Sequence, residues 1–431
     1  MRLATVLYLV ALLLITLFSD VIFGVSAQSL AYGPLALALL ALVYPALTDG
    51  PQDFLHRWYA SSPMMAAGLL FLAGLAASMP NAHEVGLAAK DFLRWSFVWL
   101  VYAPVTRALC DDARRCRLFA RATGAFVIGF AALAAGDLFA GGGLTRAIIG
   151  QAGVSGQGRY ASLYGNPGVF AGMLIVGFPL ALVPALNERG TRRLPWLAGT
   201  GVIVAGMLVS GSRAALAAAV VATVAIGLAQ RRWWLVGATA ALVVGLGVLV
   251  NARALEGPPA LERLQQLATH SGTGERSFRR RAIIWGVASE LVQHSPLIGM
   301  GGSQLRFHQH SGFKRAHNAW LDAWVDGGLL AALAMLLVTA QVLRRAWATL
   351  THRRRLYLEP THVALMAACL AVLTGWLVRA GIGGRIDWLP IFMLFGLWWE
   401  RGRPAASLGG RQGAKRCRAR GQGTPAVEVR D

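Results

Sequence analysis

Charge is scarce in this chain, and acidic charge is scarcest. Only 14% of its 431 residues are Asp, Glu, Lys or Arg, whereas 56% are hydrophobic, and the mean hydropathy is +0.52. A soluble domain needs more charge than this to cover its surface, which excludes the ordinary globular classes. Cysteine is scarce too. Cys110, Cys116, Cys369 and Cys417 give no disulfide framework. Cys110 and Cys116 are not spaced as CxxC and have no histidine nearby, which argues against a structural zinc. No internal repeat is evident, which speaks against a transporter built from two related halves.

Apolar blocks are abundant. They lie near 4–25, 30–48, 63–79, 92–108, 118–140, 166–186, 194–210, 213–229, 233–250, 319–343, 361–379 and 385–399. Blocks of about 17–25 residues match a hydrocarbon layer of roughly 30 Å. Only a helix satisfies its own backbone hydrogen bonds in lipid without closing a barrel. The expected architecture is all-α and polytopic, with about a dozen membrane helices in one domain over 1–400. The even count puts both termini on one side.

The formal net charge of +21 comes from 41 Lys+Arg against 20 Asp+Glu. Such a balance suits nucleic acid, but the basic residues sit in short clusters between apolar blocks, as the positive-inside rule requires. Arg107, Arg114, Arg115, Arg117 and Arg121 form one cluster. Arg189/Arg192/Arg193, Arg231/Arg232, and Arg344/Arg345 with Arg353–Arg355 form the others. Placing these and both termini in the cytoplasm is self-consistent. Residues 401–431 form a basic, Gly-rich tail, expected to be disordered and to touch anionic lipid. Val25-Ser26-Ala27 resembles a signal-peptidase site. The run before it is too long for an h-region and contains Asp20, so a retained first helix is the expectation.

That orientation sends one long connection, 251–318, to the periplasmic side. Long loops of this kind are usually functional. Amphipathic spacing through Leu261, Leu264 and Leu267, and through Ile283, Ile284, Val287 and Leu291, predicts short helices lying over the membrane domain. Within it, Arg279-Arg280-Arg281 precedes Trp285, and Arg281 and Trp285 share a helical face. A guanidinium keeps its charge and matches phosphate oxygens, although headgroup contact would also account for it. His294-Ser295-Pro296-Leu297-Ile298-Gly299-Met300-Gly301-Gly302 predicts a turn that ends a loop helix and lets backbone approach backbone. His317 stands at the water–lipid boundary before the next helix, where an imidazole is suited to take a proton or simply to hydrogen-bond at the interface. His308, His310 and His317 fit no standard metal-ligand spacing.

Arg213 follows Ser210-Gly211-Ser212 between two apolar blocks with almost no loop. It must sit at the periplasmic membrane edge, where a charge is costly unless paired or functional. Arg159 stands before another periplasmic helix start, with Arg146 nearby; snorkelling to headgroups is the alternative for each. Arg159, Arg213 and Arg281, with few acidic partners and His317 as a candidate base, make a cationic pocket suited to a lipid-linked phosphate or pyrophosphate.

Over most of its length, and most clearly from about Ser210 to Leu330, the sequence resembles the O-antigen ligase and O-antigen polymerase family of membrane glycosyltransferases. The matching pieces are Ser212-Arg213-Ala214-Ala215-Leu216, Arg281 with Trp285, and His294-x-Pro296-Leu297-x-Gly299-x-Gly301. His317-Asn318 followed by Asp326-Gly327-Gly328 completes the set. The ligase branch resembles His-Asn, nine residues, Gly, two residues, then Gly, Thr or Tyr. Here Gly328 fits and Ala331 departs. Asn166-Pro167-Gly168 stands where the family has Asn-Pro-Asn.

The resemblance implies a GT-C type fold and an undecaprenyl-pyrophosphate-linked glycan donor, with no cofactor or metal. A ligase would have the lipid A–core oligosaccharide as acceptor, in a bacterial inner membrane with the site facing the periplasm. His317 would be the catalytic base, and Arg213, Arg281 and Arg159 would hold the donor pyrophosphate. Asn318, Trp285 and Arg280 would support them. A polymerase or a protein O-oligosaccharyltransferase would use the same parts on a different acceptor.

Overall fold

The computed structural model describes residues 63–110, 112–141, 167–251, 273–307, 315–351, 359–377 and 385–401. These residues form helices and short turns, with no strand among them. The elements are α1 (Pro63–Ser78), α2 (Val85–Phe97), α3 (Ala103–Leu109), α4 (Ala113–Phe139), α5 (Pro167–Asn187) and α6 (Leu194–Val209). They continue with α7 (Arg213–Ala229), α8 (Trp233–Asn251), α9 (Thr273–His294), α10 (Ala319–Thr351), α11 (Pro360–Trp376) and α12 (Arg385–Arg401). The expected blocks at 4–25 and 30–48, Arg159, His308, His310 and the 401–431 tail lie outside the described residues, apart from Arg401.

Hydrophobicity sets the helix boundaries well. Four stretches are long and apolar enough to cross a membrane: Pro63–Asn81, α4, α5 and α10. Arg213–Ala229, Trp233–Gly245, Pro360–Trp376 and Asp387–Leu397 are apolar but shorter. The expectation of a dozen spans is thus met only in part among the described residues. The 92–108 block is the clearest departure. It begins earlier, at Val85, as an amphipathic helix that buries Ala88, Asp91 and Trp95. A π-helical turn at Val98–Tyr102 follows, and α3 starts beside Pro104. The backbone stays helical from Val85 to Leu109, so the block is the later part of a longer helix with a π turn inside it, and Lys90, Asp91 and Arg94 make its first part polar on one side.

α5 is buried on nearly every face and occupies the middle of the bundle, where a helix apolar all round belongs. Around it pack α4, α6, α7, α11 and α12. A cluster of rings from Trp95, Trp99, Trp376, Trp388 and Phe392 locks α2, the π turn, α11 and α12 together, with edge-to-face centroids such as Trp99–Trp388 at 5.0 Å. Edge-on ring pairs of this kind add about 0.5–1.5 kcal/mol each beyond burial.

Side-chain contacts define the two ends of the bundle. Arg117 of α4 meets Glu359, which precedes α11, at 2.6 Å, and Arg121 of α4 pairs with Glu188 after α5. Asn187 contacts Gln230 after α7 and Arg232 before α8. Thr349 of α10 meets His362 of α11 at 3.0 Å. The starts of α4, α8 and α11 and the ends of α5, α7 and α10 therefore share one end, and the described basic residues around Arg117, Arg189, Arg231 and Arg344 gather there. It follows that the starts of α7 and α10 lie at the other end. Asn318, just before α10, reaches the Leu377 carbonyl at the far end of α11.

Candidate functional site

The second end of the bundle is built around a break in α10. Gly327 has φ −131° and Gly328 has φ +63°, and both lie inside an otherwise helical run. The turn predicted at His294–Gly302 docks into that break. Met300 N–H donates to Val325 O at 2.8 Å, Gly301 N–H to Asp326 O at 3.1 Å, and Leu329 N–H to Leu297 O at 3.1 Å. The carbonyls and amide freed by the break are thus satisfied by the loop, as buried backbone groups require. Contact is too close for side chains. A Cβ on Gly328 would stand 2.2 Å from Leu297 O, and one on Gly299 would stand 2.4 Å from Gly328 N. The Asp326-Gly327-Gly328 and Gly299-x-Gly301 pieces of the sequence are therefore two halves of one joint. Ala331, where the ligase pattern departs, is fully buried, its Cβ 2.8 Å from where a Cβ on Gly327 would stand.

α9 supplies the other wall. Its buried face carries Ile284, Ala288 and Leu291, packed with Leu305, Ala316 and Val325. The expected amphipathic face is corrected at one residue. Ile283 is 50% exposed, because the inward stripe runs through positions four and three apart from Ile284. Of the arginine triplet, Arg279 and Arg280 are exposed and Arg281 is half-buried.

His317 sits between these walls in a backbone conformation that side chains rarely adopt, φ +56°. Such geometry costs of order 1–3 kcal/mol and persists only where its surroundings enforce it. Each neighbour of His317 is tied. Ala316 N–H donates to Asp322 Oδ1 at 2.6 Å, and the Trp285 indole donates to Ala316 O at 2.9 Å. Asn318 Oδ1 accepts from the N–H groups of Trp320 and Leu321, both at 3.1 Å, and so caps α10. Burial lowers the proton affinity of His317, and the positive charge of Arg281 lowers it further. Arg281 and His317 are therefore electrostatic neighbours, although thirty-odd residues separate them. The imidazole is half-buried and favours its neutral, proton-accepting form below its ordinary value of about 6.5.

Arg213 opens α7 at this same end of the bundle. Gly211, with φ +63°, makes the sharp turn out of α6, and Ser212 Oγ accepts the Ala215 N–H at 3.3 Å as the helix cap. Arg213 is half-buried. Of the residues singled out in the sequence, the structure brings His317, Asn318, Trp285 and Arg281 together and turns Arg280 outward to solvent. Arg159 is outside the described residues.

Two site residues carried no sequence motif. Arg315, only 17% exposed, reaches Asp91 Oδ2 of α2 at 3.0 Å and also pairs with Asp326. Asp91 in turn accepts from Ser303 Oγ, and Asp326 Oδ1 accepts from Ser303 N–H at 3.1 Å. Acidic groups are thus present at this end, contrary to the expected scarcity, but Arg315 and Ser303 consume them. Asp91 escaped notice because it lies in another helix more than two hundred residues away.

No curated protein matches the chain. Residues 198–336 match the family model described as O-antigen ligase, a segment running from α6 through the break in α10. It contains Arg213, Arg281, Trp285, His317 and Asn318 together with both halves of the glycine joint. Over that segment, about a third of the chain, the match supports assignment to the O-antigen ligase/polymerase family.

Proposed function

We propose that the chain is an O-antigen ligase. In this reading it transfers a glycan from undecaprenyl pyrophosphate to a hydroxyl of the lipid A–core oligosaccharide. The site would face the periplasm of a bacterial inner membrane, with both termini cytoplasmic. The supporting observation is His317, held in a strained turn and half-buried, with its proton affinity lowered by burial and by the cationic Arg281.

The reaction forms one bond and breaks one. The acceptor hydroxyl gives its proton to the His317 imidazole as its oxygen attacks the anomeric carbon. The bond from that carbon to the pyrophosphate oxygen breaks, and undecaprenyl pyrophosphate leaves with the electron pair. Negative charge grows on the leaving group. Arg281 and Arg213, with Arg159 as a third contact, stabilise it with fixed cations in place of a divalent ion. Asn318 and Trp285 hold the backbone on either side of the base.

The test is transfer by purified protein supplied with lipid-linked glycan and, separately, lipid A–core, a second lipid-linked glycan or a protein acceptor. Transfer to lipid A–core alone is the expected result, and chelator should leave the rate unchanged. Extension of a second lipid-linked glycan would make it a polymerase. Transfer to a protein hydroxyl would make it an oligosaccharyltransferase.

A further inference from the structure

A strained residue needs both flanks held, and the carboxyl-side flank of His317 is explained by the Asn318 cap. The amino-side flank is held at Ala316 by Asp322 and Trp285. One residue further back, Arg315 reaches across to two other parts of the chain. One partner, Asp91, belongs to α2; the other, Asp326, is the last residue before the glycine joint. Both carboxylates are also engaged by Ser303, itself held at φ +60°. The result is a closed network joining α2, the docked turn, the His317 turn and the first segment of α10.

Arg315 lies two residues from the proposed base, and a fourth arginine here would ordinarily be assigned to the donor pyrophosphate. Its surroundings argue otherwise. Two carboxylates neutralise it, and Asp322 adds to the field that holds its proton. A guanidinium so compensated offers a pyrophosphate little net attraction. What it does offer is a rigid fork that fixes two acceptors at once.

We propose that Arg315 is a positioning residue. Bridging Asp91 and Asp326, it fixes the left-handed turn at His317 and hence the place of the imidazole beside Arg281. This rests on the reading of His317 as the base. Arg315 touches no reacting atom; it acts through the turn.

The experiment uses the purified full-length chain with lipid-linked glycan donor and the acceptor it uses. Turnover and donor KM are measured against pH for the wild type, Arg315→Gln, Asp91→Asn and His317→Ala. The imidazole titration is followed in parallel by NMR, using the resonance that His317→Ala removes, so the readout does not depend on turnover. Arg315→Gln should lower kcat about a hundredfold, the scale of an ångström-sized misplacement, with donor KM within about twofold. The acid limb and the imidazole titration should both move up towards the ordinary histidine value as the ring leaves Arg281. Asp91→Asn should move them the same way by less, and it carries the test if Arg315→Gln does not fold.

Unmoved titration in both variants would overturn the proposal, because a purely structural network changes the amount of folded protein and not the histidine's proton affinity. A tenfold rise in donor KM at unchanged kcat would also overturn it and make Arg315 a donor ligand. Normal turnover by His317→Ala would remove the base assignment itself, whatever Arg315 does.

Discussion

The two ends of the helical bundle use arginine in opposite ways. At the basic end, Arg117 and Arg121 meet Glu359 and Glu188 with about half of each guanidine side chain exposed. Exposed pairs of this kind contribute roughly 0–1 kcal/mol each. At the other end, Arg315 is buried against two carboxylates, and Arg281 bears on a histidine. Removing one partner from a buried pair typically costs about 3–5 kcal/mol, since the other charge is left uncompensated. The lesson is that abundance of positive charge marks the end that orients the chain. Burial of positive charge is not by itself the mark, since Arg107 of the basic clusters is buried too; buried positive charge set against carboxylates and a histidine marks the end where chemistry is expected.

The sharpest way to break this contrast is His317→Ala. Transfer should fall by about two to four orders of magnitude, the usual range for a general base, while donor binding persists. Purified variant protein assayed with lipid-linked glycan decides it; ordinary turnover would leave the second end without a reactive group. Next come Arg281→Ala and Arg213→Ala, each expected to reduce kcat/KM about a hundredfold to a thousandfold, as loss of a charge-stabilising donor does. Their pH profiles should differ. Without the Arg281 charge the imidazole holds its proton more readily, so activity begins to fall at a higher pH on acidification. Arg213→Ala should leave that limb in place.

Gly328→Ala tests the joint itself. Its φ of +63° and the 2.2 Å approach to Leu297 O leave no room for a methyl group. We expect a loss of several kcal/mol in stability by thermal or denaturant unfolding. Gly201→Ala in α6, with nothing within 4 Å, should be neutral or slightly stabilising. The smallest effect belongs to Arg117→Ala at the basic end, below about 1 kcal/mol and without change in transfer rate. A large loss of transfer there would erase the distinction between the ends.

Much of this was legible in the sequence where one segment carries its own signal. Most helices from Pro63 onward follow the apolar blocks, although α2 starts earlier and α10 runs further than its block. The turn at His294–Gly302 was readable from Pro and Gly chemistry. The grouping of Arg281 with His317 followed from both lying in the one long loop, and the family resemblance reinforced it. What remained hidden depends on long-range pairing. Nothing near Asp91 announces that it meets Arg315, and a single polar residue in an amphipathic stretch reads as solvent-facing. The early start of that helix at Val85 was hidden too, since Lys90 and Asp91 fall ahead of the apolar run and hydropathy alone leaves them out.

The break at Gly327-Gly328 also settles a question of length. An unbroken α10 of 33 residues would measure about 50 Å, well beyond the roughly 30 Å of a bilayer's oily interior. Cutting it there leaves Leu329 to Thr351, about 35 Å, which fits that thickness with a modest tilt. Asp322 and Asp326 belong to the shorter piece. Both acids therefore fall outside the stretch that matches the bilayer's thickness, whereas at mid-depth each would cost about 2.5–3.5 kcal/mol.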